Sequence, residues 1–259
     1  LIFFSCFTAF SQRSCNTNPS PASLNFQNPT FESGSNNNVA NQGDIFRFSN
    51  VAPGVDARVT ITQLINGATL PQFDRPALVE GSDGFDRAFQ PTLRTNGASS
   101  GAQFTIQYVI TGTNTPVTLN FNITALDVDG NNVDLREFIQ LSPLPASYSY
   151  NNPTAITFTN NATILRGTAT AVTVEPGTGV SPQFGFSSYY EGISQVNVII
   201  ANTGGAASND RQFSLLFEDI TYPNRVDNNF TSPLICGTVR DNLGNPIAGV
   251  TLNLTGGET

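Results

Sequence analysis

The chain has 259 residues, 12% charged and 39% hydrophobic, with no His, Met or Trp and with arginine as its only basic residue. Lacking His and Lys, it cannot use imidazole catalysis, imidazole metal ligation, P-loop phosphate binding or Schiff-base chemistry. A formal charge of −8 and an isoelectric point near 4.4 argue against nucleic acid and anionic membranes as partners, since both demand clustered cations.

The first element, Leu1-Ile-Phe-Phe-Ser-Cys-Phe-Thr-Ala-Phe-Ser11, is an apolar run closing on small residues at Ala9 and Ser11. It predicts a secretory signal over residues 1–11, lacking the charged segment that normally precedes such a run. The run is too short to span a bilayer, and no membrane insertion of the mature chain is expected. Cleavage after Ser11 leaves Cys15 and Cys236 as the remaining cysteines. An even pair in an exported protein reads as a disulfide.

Residues 12–225 show period-two alternation and no helical stretch. The clearest strands are Phe104–Ile110 and Val117–Ile123, with Phe104, Ile106, Tyr108 and Ile110 on one face of the first, and Val117, Leu119, Phe121 and Ile123 on one face of the second. The turn residues Thr111–Pro116 between them predict a hairpin. Further strands are expected at Glu137–Leu141, Ala155–Thr159, Val196–Ala201 and Phe213–Tyr222. About ten strands in one unit predict an all-β fold, a large antiparallel jelly-roll-like β-sandwich. Two smaller sandwiches dividing near Leu141–Pro145 are the alternative.

Three sets of residues are candidates for chemistry. Asp127, Asp129 and Asp134, with Gly130 supplying a turn, offer the closely spaced hard oxygens that a structural calcium ion takes, although helices and EF-hand spacing are lacking. The other reading of these residues is an acidic hairpin tip. Tyr148, Tyr150, Tyr189 and Tyr190 lie in Ser- and Asn-rich sequence, where exposed rings could stack on a sugar; the alternative is packing at sheet edges. Carboxylate pairs drawn from Asp83, Asp86, Asp127, Asp129, Glu137 and Glu191 could serve glycoside hydrolysis, but no motif singles out a pair.

Two short motifs, Asn28-Pro-Thr-Phe-Glu32 and Phe217-Glu-Asp-Ile220, resemble the first and last strands of certain carbohydrate-binding jelly rolls. That resemblance implies a structural calcium held between Glu32 and Asp219, although Glu218 stands where those proteins carry a further Asp. Gly237-Thr-Val-Arg-Asp-Asn-Leu-Gly-Asn-Pro-Ile-Ala-Gly-Val250, continuing to Leu254, resembles the opening hairpin of the carboxypeptidase regulatory-like domain, a small Ig-like sandwich that serves as an accessory module. It implies a linker over 226–236, the truncated first hairpin of such a domain over 237–259, and further domains of the same polypeptide beyond Thr259. The whole plan resembles secreted multidomain surface proteins of the Bacteroidota type. The expected function is a non-enzymatic extracellular or cell-surface module for adhesion, display or matrix building, with a glycan or another surface ligand as partner. A carbohydrate-binding module attached to a secreted glycan-degrading enzyme is the alternative.

Overall fold

Alternating apolar and polar residues build the molecule. The computed structural model describes residues 20–35, 40–75, 87–173, 181–205 and 207–230. The described residues form sixteen strands and one short 3-10 turn, Pro182–Phe184. In chain order the strands are β1 (Thr30–Ser33), β2 (Ile45–Ala52), β3 (Val55–Ile65), β4 (Thr69–Gln72), β5 (Thr92–Asn96), β6 (Gly101–Ile110), β7 (Leu119–Leu126) and β8 (Arg136–Ser142). There follow β9 (Ser147–Asn151), β10 (Ile156–Asn160), β11 (Leu165–Ala169), β12 (Phe186–Ile193), β13 (Gln195–Thr203), β14 (Ala207–Gln212), β15 (Ser214–Leu216) and β16 (Arg225–Asn229).

An eight-stranded sheet in the order β1-β2-β3-β6-β13-β8-β11-β10 packs on a five-stranded sheet in the order β15-β7-β12-β9-β16. A smaller sheet, β14-β5-β4, continues from the β15 edge, where Phe89 pairs with Leu215. The chain changes sheet at each step from β6 to β9, and later strands insert between earlier ones: β12 between β7 and β9, β13 between β6 and β8. The interlocked order β6-β13-β8-β11 over β7-β12-β9 is that of a jelly roll.

Strand alternation fixes the core. Phe104, Ile106 and Tyr108 of β6, with Val196, Val198 and Ile200 of β13, meet Phe121, Ile123 and Ala125 of β7, all of them buried. At one end Phe26 stacks on Phe217 at 4.0 Å and lies 4.9 Å from Phe48, and Phe89 adds an edge contact to Phe104 at 5.2 Å. Each fully buried Phe contributes roughly 1.5–3 kcal/mol of burial free energy. One core cluster runs from Leu24 to Phe217 through residues on both sides of Leu141–Pro145, which merely cross from β8 to β9. The alternative of two sandwiches is therefore set aside.

Two other expectations need correction. Thr111–Pro116 does not close a hairpin: only Val109 pairs with Pro116, after which β6 and β7 part into different sheets. Ile110, expected inside, is consequently exposed beside the turn. The segment expected as a linker from 226 begins as structure, for β16 pairs with β9 and the Phe230 ring stacks on Tyr148 at 5.3 Å. The signal at 1–11, Cys15, Cys236 and the regulatory-like segment 237–259 lie outside the described residues.

The two ends of the described sandwich are brought to one end of its strands. Ala22 bridges Phe121 in parallel, Phe121 pairs with Tyr190, Ala146 donates its N–H to the Tyr189 carbonyl, and Phe230 donates its N–H to the Ala146 carbonyl. These contacts place Ala22, Phe121, Tyr190, Ala146 and Phe230 in one row across the five-stranded sheet. Four strand spacings of ~4.8 Å put its ends ~19 Å apart. Because the segment at Ala22 runs parallel to β7 and β16 runs antiparallel to it, the described chain begins at Ser20 and ends at Phe230 on the same end of the sandwich.

Candidate functional site

The Asp127–Glu137 segment is a tight reversal between β7 and β8. Asp127 takes a left-handed backbone, φ 57°, which Asp tolerates better than most residues. Gly130 bridges Arg136 across the loop. The Asn131 Oδ1 accepts the N–H groups of Val133, Asp134 and Leu135 at 2.9–3.0 Å. The Gly130 and Asn132 N–H groups donate to the carbonyls of Thr173 and Val172 at 3.0 and 2.6 Å. A side chain at position 130 would strike the Val172 backbone, so glycine is required there.

Beneath this loop lies an arginine that the acidic pattern does not reveal. Arg211 of β14 donates through Nη2 to Asp129 at 2.5 Å and through Nε to Glu137 at 2.6 Å. Asp129 is 1% exposed and Glu137 fully buried. Burial pushes the Glu137 carboxyl up to about 8, against the pull of Arg211 and with the push of Asp129. Burial alone would lower the Arg211 pKa; Glu137, Asp129 and Asp127 together raise it. The carboxylates thus receive their counter-charge from a guanidinium. Asp127, Asp129 and Asp134 do not converge on one centre, since Asp129 turns inward to Arg211 while the exposed Asp134 accepts from Asn131 Nδ2 at 3.1 Å.

Glu32 and Asp219 are likewise held apart. Glu32, on β1, accepts from Arg58 at 2.7 Å and from Arg47 at 3.1 Å, and hydrogen bonding from Arg58 leads in holding its carboxyl below the usual range. Asp219 pairs with Arg225 at 2.8 Å over the outer face of the five-stranded sheet. Among the described residues no group of three or more His, Cys, Asp or Glu side chains is placed to hold a metal ion.

The tyrosines are strand residues, and Tyr148 and Tyr190 are buried against other side chains instead of standing exposed in loops. Tyr148 and Tyr150 share the inner face of β9 and pack on Phe158, each at 4.9 Å. Tyr190, 1% exposed, donates its hydroxyl to the Pro143 carbonyl at 3.0 Å. Tyr189 is half-buried in β12. Of the carboxylates considered for hydrolysis, Asp83 and Asp86 lie outside the described residues. Asp129 and Glu137 are adjacent but sealed with Arg211, whereas a glycosidase pair must open onto a cleft.

The two sheets differ on their outer faces. That of the five-stranded sheet is covered by residues 217–225. Thr124 bonds Ser187 at 2.7 Å and the Glu218 carbonyl at 2.5 Å, Tyr222 bonds Ser187 at 3.0 Å, and Arg225 reaches Ser149 at 2.7 Å. On the eight-stranded sheet, the pairing register sets Arg58 beside Gln107, Thr105 beside Asn197, and Gln103, Ile199, Gln140 and Arg166 in one row. All of these residues are partly solvent-exposed. The polar positions of β6 and β13 were visible in the sequence, but nothing there told which sheet would carry a cover.

The fold therefore defines the class: an all-β sandwich of jelly-roll type with one covered and one open face. No protein-family model matches the sequence, and no curated protein is recognisably similar to it. Among solved structures the chain is similar to the N-terminal domain of the Streptococcus gordonii adhesin Sgo0707, at 12% identity and a TM-score of 0.45, over 80% of this chain and 61% of that one. The chain thus spans less than two thirds of the adhesin chain it matches. A likeness at this level carries no functional information.

Proposed function

We propose that the chain is a non-enzymatic extracellular module of the adhesion or display type, binding through the outer face of its eight-stranded sheet. The observation that carries this reading is the contrast between the two outer faces. One is sealed by the chain's own segment 217–225, while the other presents rows of amide, hydroxyl and guanidinium groups fixed by strand pairing. Such a face offers many preset hydrogen-bonding groups to a ligand lying across the strands. The apolar run at residues 1–11 supports export. Among the described residues no helix is long and apolar enough to cross a membrane.

The test uses beads coated with the protein and surfaces bearing glycans or extracellular proteins. Replacing Thr105 and Asn197 together by Glu puts bulk and negative charge at the centre of the face, and Thr69→Glu on exposed β4 is the control. Attachment lost only in the double variant supports the reading. Equal attachment by both variants, or attachment of the unmodified protein to none of the surfaces, overturns it.

A further inference from the structure

On the half of this open face formed by β13, β8, β11 and β10, the charge runs against that of the whole chain. Strand alternation turns Asn197 and Ile199 of β13, Arg136, Phe138 and Gln140 of β8, Arg166 and Thr168 of β11, and Thr157 and Thr159 of β10 outward. No carboxylate stands among these outward positions, although the protein carries a net charge of −8. Of the other seven described arginines, Arg47, Arg58, Arg87, Arg94, Arg211 and Arg225 hold salt bridges, and Arg75 donates to Gln212 at 3.1 Å. Arg136 and Arg166 hold none among the described residues. Asp134, two positions before Arg136, is turned onto Asn131.

Arg166 is held in place without an acid. Its Nε and Nη2 donate to the Oε1 of Gln140 at 3.0 and 2.6 Å, and its guanidinium carbon lies 4.3 Å from the centre of the Phe138 ring. A neutral amide on one edge and an aromatic face below fix the guanidinium plane while leaving its charge uncompensated. A guanidinium so fixed is suited to a carboxylate or sulfate, which it can meet with paired donors. Since Gln140 pairs with Arg166 and lies four residues from Arg136 on β8, the two cations are anchored ~14 Å apart by strand geometry. That span exceeds a single small anion. Between and beside them lie Thr159, Thr168 and Gln140, which hydrogen-bond hydroxyls, and Ile199, which offers an apolar spot for a sugar's C–H face.

We propose that this half-face binds an extended acidic polysaccharide, with Arg166 and Arg136 meeting two of its acidic groups. The proposal rests on the reading of the open face as a binding surface and names its ligand class. The probes are polygalacturonate as the polyuronate, dextran as a neutral polysaccharide, and polyglutamate as a non-glycan polyanion, each cast into a native gel in which retardation reports affinity. The unmodified protein is expected to be retarded by polygalacturonate well beyond dextran and polyglutamate, with the effect weakening as salt rises. Arg166→Gln and Arg136→Gln should each lower affinity about tenfold, while Arg94→Gln, the same charge change on β5, should leave it unaltered. Thermal melting of each variant separates a lost contact from a lost fold.

No retardation by polygalacturonate, equal retardation by dextran or polyglutamate, or an undiminished response in Arg166→Gln overturns the proposal. If polygalacturonate fails while the Thr105/Asn197 double variant still abolishes bead attachment, the ligand class falls and the adhesive face stands. If the double variant attaches normally as well, both fall.

Discussion

Replacing Arg211 by Gln removes the cation that bridges two buried carboxyl groups, and the cost follows from their burial. Asp129 and Glu137 are 1% and 0% exposed, and each receives a short hydrogen bond from Arg211. Removing one partner of a buried ion pair costs about 3–5 kcal/mol, because the remaining charge is neither solvated nor compensated. For a domain of this size, that loss lowers Tm by roughly 6–20 °C. The loss should also depend on pH. Glu137 already has a folded pKa of about 8, above its ordinary 4.5, so its contribution to stability is fully present below pH 4.5 and is lost as pH rises to 8. Without Arg211 the Glu137 carboxyl loses the pull that opposes burial and moves further up, the folded state holds a proton over a wider range than the unfolded one, and stability falls more steeply with pH. Thermal or urea unfolding from pH 5 to 8 should therefore show a deficit for Arg211→Gln that grows toward pH 8. Replacing Asp129 and Glu137 by Leu and Arg211 by Met together should recover most of it. A deficit below ~1 kcal/mol, the scale of a surface pair, or one equal at pH 5 and pH 8, would refute the account of a sealed ion cluster.

Gly167→Ala should destabilise by about 1–3 kcal/mol in urea unfolding, because its Cβ would lie 2.5 Å from the buried Phe186 ring. Phe26→Ala should cost about 3–5 kcal/mol, since it removes a ring stacked on Phe217 inside a fully closed cluster; a loss under ~1.5 kcal/mol would mean the cluster collapses around the gap. Cys15 and Cys236 stand five and six residues from Ser20 and Phe230. At ~3.3 Å per residue these stretches more than cover the ~19 Å between the row's ends. Mass spectrometry of the exported, oxidised protein should show one disulfide, and two free thiols would contradict it.

How far the fold could be read from the sequence depended on how local each signal was. The alternation of Phe104, Ile106 and Tyr108 against Gln103, Thr105 and Gln107 is a local record of one buried and one wet face, and it specified β6 correctly. Turn chemistry at Thr111–Pro116 suits a hairpin and a sheet-to-sheet crossing equally well, so it could not tell them apart. Asp127, Asp129 and Asp134 carry the spacing of a cation loop, but the counter-charge that Asp129 meets in the folded chain is Arg211, 82 residues on, on a strand whose placement only the folded sandwich decides. For Tyr148 and Tyr150 the local signal was present: two positions apart, they belong to one face of a strand, and that period outweighs the Ser- and Asn-rich context that suggested a loop. The open face of the eight-stranded sheet depends on which strands are neighbours and on where residues 217–225 come to rest, both of them non-local.

The row from Ala22 to Phe230 also governs how the sandwich bears load. Tension applied through residues 20 and 230 acts across the strands of the five-stranded sheet, since both lie at the same end of its strands and on opposite edges. The hydrogen bonds joining β16 to β9, from Asn229–Ser147 to Arg225–Asn151, would then yield one after another, as a zip opens, instead of resisting together in shear. A covalent link between the chain segments just outside the row would carry that tension itself and leave the strands slack. The sandwich is thus mechanically frail when its two ends are pulled separately and protected when they are tied.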